Sequence, residues 1–203
     1  MKRVAVIAGV VLVNALVQAL CVLPGATPAV GGGFLGLLAV STVVLIAAAT
    51  ATLVLVGAPG VRRPRVVRAL AAVIVALVVV AALTVLSPLA GAVGLLVAIV
   101  VASPAGNADA GALDGPRSFR QHPFRAVLLL VATVLAIAVA MVAALVFGLF
   151  VTGAFGAFST WVVGGVVLAM IARGWARLAV RANGSSGRRA GPAPDRVQKM
   201  RLR

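Results

Sequence analysis

The sequence predicts an all-α polytopic membrane protein: a bundle of six transmembrane helices with both termini in the cytoplasm. Three observations carry that expectation. The chain has 203 residues, 63% of them hydrophobic and only 10% charged, too little charge to cover a water-soluble domain of this size. Apolar runs long enough to cross ~30 Å of hydrocarbon recur along it. All 18 Lys and Arg residues lie outside those runs, and an up-and-down threading puts every one of them on the same side of the membrane. Lipid offers no partner to backbone amides and the runs lack period-two alternation, so the crossings are expected as helices.

The first span is expected at 4–22, behind Lys2 and Arg3. This start resembles a signal peptide, but the apolar run is long for one and no small-x-small cleavage site follows, so the span is expected to stay in place. The second span is expected at 34–57. Arg62, Arg63, Arg65 and Arg68 follow it, and a third span is expected at 69–87. The fourth, 89–102, is short enough to suggest a re-entrant segment. That alternative would strand Arg117, Arg120 and Arg125 outside, so a short true crossing is expected instead, paired to the third through the turn Ser87–Gly91. The fifth is expected at 126–150 and the sixth at 158–172, the last continuing as a basic helix to about 182. Asn183-Gly184 reads as a helix stop, and 183–203 as a disordered basic cytoplasmic tail. Prolines fall at or between run ends, so the helices are expected to be largely unkinked.

Few side chains in the spans are polar. Asn14 and Gln18 in the first span are four residues apart and share a helix face, which Cys21 continues. They suit either a polar lining for a solute path or hydrogen bonding between helices, worth ~0.6–2 kcal/mol each. Ser41, Thr42, Thr50, Thr52, Thr84 and Thr133 are expected to bond back to the preceding helical turn. Ala132, Ala136, Ala140 and Ala144 form a small-residue ridge of the kind that lets another helix approach closely. Arg173, Arg177 and Arg181 are expected on one helix face, contacting lipid headgroups of an anionic leaflet. The nine aromatics avoid the span centres and suggest interfacial belts, Trp161 on the outer side and Trp175 on the cytoplasmic side. The segment 106–111 is expected as a flexible connector, and 119–125 as a membrane-surface anchor.

Several chemistries lack their residues. The formal net charge is +15, but the positive charge is parcelled into loops, so no nucleic-acid partner is expected. One histidine, His122, without a Cys or carboxylate cluster makes neither a zinc nor a bis-His haem site, and no metal or other cofactor is expected. The single cysteine, Cys21, excludes an intrachain disulfide. No Asp, Glu, Lys, Arg or His lies in an apolar run, against ion-coupled transport and acid–base catalysis. The expected protein is therefore not an enzyme. It is a non-catalytic packing or partner subunit of the bacterial plasma (inner) membrane, N-in and C-in. Its partners would be the lipid bilayer, with an anionic cytoplasmic leaflet, and another membrane protein. The alternative is a small transporter or solute-binding subunit with Asn14 and Gln18 lining the site.

Overall fold

The computed structural model describes residues 2–22, 31–57, 63–107, 114–151 and 153–187. Seven helices and one 3-10 turn account for nearly all of them, and no strand occurs among the described residues. They are α1 (Lys2–Val22), α2 (Gly32–Val56), α3 (Arg63–Leu86), α4 (Pro88–Ala102), the 3-10 turn Ser103–Gly106, α5 (Asp114–Gln121), α6 (Pro123–Phe150) and α7 (Ala154–Gly187). Six of these segments are long and apolar enough to cross a membrane, with α4 and the 3-10 turn counting as one. The multi-pass class of the protein follows from that.

The helix ends refine the expected spans. α3 starts at Arg63 rather than at residue 69, so its first two turns carry Arg63, Arg65 and Arg68 beyond the apolar stretch. Its Pro64 sits in the first turn, where a missing N–H breaks no helical bond. α3 and α4 are joined by the single extended residue Ser87 (φ −166°, ψ 137°), and Pro88 is the first residue of α4. The fourth span gains most. Fifteen α-helical residues run into four residues of 3-10 helix. At 1.5 and 2.0 Å rise they reach roughly 30 Å, the thickness of a bilayer core.

Two expectations about connectors are corrected. Gly106 and Asn107 are not part of a flexible loop: Ser103 through Asn107 are all buried. The rest of that segment lies outside the described residues. The helix also does not stop at Asn183-Gly184, since α7 runs on to Gly187. A glycine costs a helix only ~1 kcal/mol relative to alanine, and among the described residues only Gly153 has a positive φ, so Gly184 does not adopt the left-handed turn that ends helices. Residues 188–203 of the expected tail lie outside the described residues.

Contacts put the starts of α3, α5 and α6 and the ends of α2, α4 and α7 at one end of the bundle. This basic end holds most of the large buried side chains. One cluster joins Ile99 and Val100 of α4, Ala126 of α6 and Ile171, Trp175 and Leu178 of α7. A second joins Leu53 and Val54 of α2, Ala69 of α3 and Ala172 of α7. The 3-10 turn sits between them. A Cβ on Gly106 would lie 2.0 Å from the Leu53 carbonyl oxygen, and one on Gly57 would lie 2.2 Å from the Gly106 oxygen. Asn107 Nδ2 donates to the Ala176 carbonyl of α7 at 3.1 Å. α5 packs as closely, since a Cβ on Gly115 would lie 2.2 Å from the Val100 oxygen. Towards the far end, the buried positions of α1 and α4 are mostly small or polar: Asn14, Ala15, Gln18, Ala19, Gly91 and Gly94. There Gly91 seats against Thr84 and Gly94 against Leu83, closing the α3–α4 hairpin.

Trp175 is fully buried, not part of an interfacial belt. Its indole N–H donates to Thr133 Oγ1 at 3.1 Å, and that hydroxyl donates to the Leu129 carbonyl at 2.7 Å. The Phe119 ring packs on it at a centroid distance of 5.7 Å. An indole with a hydrogen-bond partner is as much at home in a helix interface as at a membrane surface. Phe124, at the basic end, is 81% exposed.

Two measurements follow, both by reversible denaturant unfolding in micelles. Gly106→Ala should lower stability by about 1–3 kcal/mol or more, as overpacking against backbone does. Gly148→Ala, with open space around the new methyl, should be neutral or stabilise by up to ~1 kcal/mol; equal effects would contradict the close seating of the turn. Thr133→Val should cost about 1–3 kcal/mol because it orphans the buried indole N–H, whereas Thr133→Ser, which keeps a hydroxyl, should cost less.

Candidate functional site

α1 begins in a first turn of Lys2 and Arg3 and packs along both α2 and α7. Asn14 and Gln18 are both turned into that interface and buried, at 6% and 3% exposure. Their surroundings differ. Gln18 Nε2 donates to the Ser41 carbonyl at 3.0 Å, and Ser41 Oγ donates to Gln18 Oε1 at 2.6 Å. The amide thus exchanges two hydrogen bonds with one residue of α2. Asn14 lies one turn away, where no such partner meets it: its Oδ1 is buried with no hydrogen-bond partner. Close by in the sequence, Val11 fills the space left by Gly165 of α7, which lets the two helices approach.

The hydroxyls behave mainly as their chemistry suggests. Thr42, Thr52, Thr84 and Thr133 donate to the carbonyl four residues earlier. Ser41 departs, its hydroxyl donating across the interface to Gln18 Oε1 instead. Thr50 also departs: its Oγ1 is buried and has no partner. Nothing in the structure explains Thr50. Ser103, which the sequence reading did not single out, donates back to Ile99 where α4 tightens into its 3-10 turn.

The alanine ridge is not gathered onto one partner. A four-residue step advances a helix by about 40° beyond a full turn, so Ala132 and Ala144 point some 120° apart. Ala136 packs against the Trp175 cluster, Ala140 and Ala144 are half-buried, and Ala132 is exposed. Arg173, Arg177 and Arg181 are all exposed, while Trp175, Ala176, Leu178 and Ala179 between them are buried. The end of α7 is therefore amphipathic, with its guanidiniums turned away from the bundle.

Asp114, Asn107 and Ser118 are buried polar residues that the sequence reading passed over as sites. Asp114 opens α5, where a carboxylate complements the helix dipole. It lies 3.4 Å from Arg117 Nη1, and its backbone carbonyl accepts from Ser118. Asn107, in a Gly-Asn pair that looked like loop, ties the 3-10 turn to α7. Only their burial distinguishes them, and a sequence does not display burial in a connector. Among the described residues no three His, Cys, Asp or Glu side chains come together in a way that could hold a metal. Compared with known protein families, with curated proteins and with solved structures, the chain has no match.

The two amides of α1 should respond differently to substitution. Gln18→Leu should cost ~0.6–2 kcal/mol, the usual worth of a hydrogen bond between membrane helices. Asn14→Leu should be neutral or stabilising, since it removes an unpaired buried acceptor at little change of shape. Thermal unfolding of both variants in the same detergent checks this; a larger loss for Asn14→Leu would reveal a partner for Oδ1.

Proposed function

We propose that the chain is a non-catalytic subunit of the bacterial inner membrane, with both termini in the cytoplasm, that packs against another membrane protein. The observation that supports this reading best is the Gln18–Ser41 exchange, because it uses up within the protein a polar group that a solute path would need. The edge position of α6 agrees with it. α6 packs mainly on α7 and α5, and the far side of its ridge, at Ala132, is open. The arginine-bearing ends, gathered at one end of the bundle, suit a cytoplasmic orientation, since carrying an arginine through the bilayer centre costs ~2.5–3.5 kcal/mol per residue.

A second reading, a small transporter or solute-binding subunit, draws on one observation: Asn14 Oδ1, buried and without a partner. Native structures rarely leave such an atom unmatched. Solute uptake that falls with Asn14→Leu, at unchanged protein level, would favour it over the first reading.

Two experiments test the main proposal. A cysteine placed at Arg117, in a Cys21→Ala background, should resist an impermeant maleimide in intact cells and react after permeabilisation; labelling from outside would overturn the orientation. A photo-crosslinking residue at Ala132 should give one discrete protein adduct in native membranes, absent when the same group is placed at Val79 on α3. Diffuse or lipid-only adducts at Ala132 would count against a partner subunit.

A further inference from the structure

The hairpin of α3 and α4 is closed where Gly91 and Gly94 meet Thr84 and Leu83, but along the rest of its length it leaves a groove. The groove measures about 550 Å³ and is open along one side. Its floor is made of small side chains, among them Ala72 and Ala76 of α3 and Ala98 and Ala102 of α4. One lining residue is charged: Arg68, at the basic end. The lining of α3 runs from Arg68 to Leu83, about 22 Å at 1.5 Å per residue.

We propose that this groove is a binding site for one acyl chain of an anionic phospholipid, with Arg68 contacting its phosphate. The shape and charge of the site both select that occupant. A chain rooted at Arg68 meets apolar wall for its whole length, because 22 Å exceeds the ~15 Å of one leaflet. A guanidinium is a permanent cation whose planar fork of five N–H donors matches the geometry of a phosphate. The chain is already in hydrocarbon before it binds, so burying it brings no hydrophobic gain. Selectivity therefore rests on the headgroup charge and on close dispersion contact with the alanine floor. The inference is independent of the function proposed above.

The test is native mass spectrometry of the full chain in micelles, titrated with phosphatidylglycerol or with phosphatidylcholine of the same acyl chains. The wild type should retain one phosphatidylglycerol more tightly than phosphatidylcholine. Arg68→Gln should reduce that preference about fivefold, the factor expected for one basic residue at an anionic headgroup (~1 kcal/mol). Ala98→Phe, which fills the groove, should abolish the single retained lipid. If Ala98→Phe fails to fold, Ala72→Leu on the α3 side of the floor makes the same test. Undiminished lipid retention in the folded filling variant would overturn the site. So would a wild-type dimer that the filling variant dissociates, since the groove would then be an interface between copies of this chain.

Discussion

The seating of the 3-10 turn Ser103–Gly106 holds the basic end together. Lipid tails are as apolar as the helices, so burial supplies little drive for helices to associate in a bilayer; contact distance and hydrogen bonds must do it. At this turn backbone meets backbone, with Gly106 against Leu53 and Gly57 against Gly106. No side chain larger than hydrogen fits at either glycine. Asn107 then fastens the turn to α7, and Pro104 within the turn is itself fully buried. The turn also completes the fourth crossing, so one short segment decides both the length of a span and the packing of its neighbours.

Much of the architecture was legible in the sequence. Lipid imposes so strong a demand on the backbone that apolar runs translate into helices almost directly, and six helices long and apolar enough to cross overlap the six expected spans, α3 beginning earlier and the fourth ending later. What the runs could not reveal was which connectors are buried. Gly106-Asn107 reads as loop because glycine and asparagine favour turns, yet the same small size suits them to a crowded interface. Trp175 was misplaced for a related reason. An indole near a run end fits a belt, and only the facing hydroxyl of Thr133 makes the interior position favourable.

The two amides of α1 show where pattern reading ends. Asn14 and Gln18 share a helix face and look equivalent in the sequence. Gln18 meets a serine on α2 whose hydroxyl and carbonyl complement its amide, and Asn14 does not. That difference depends on the rotational setting of α2 against α1, which a single chain's periodicity does not encode. The alanine ridge of α6 makes the same point, since steps of four residues precess around the helix instead of keeping to one side.

The bundle is tied at one end and sparse at the other. Local opening is easiest where few buried contacts resist it; the tips near Leu86, Leu89 and Phe150 are each at least three-quarters exposed, but Gly91 against Thr84 and Gly156 against Val151 hold each helical pair together. A uniformly packed bundle meets a thicker or thinner bilayer by leaning as a whole or by deforming the lipid around it. Here the far tips of α3–α4 and of α6–α7, each closed by a glycine contact, can shift only as pairs relative to the basic end. Adjustment to hydrophobic thickness is thereby separated from the face that the protein presents at its charged surface.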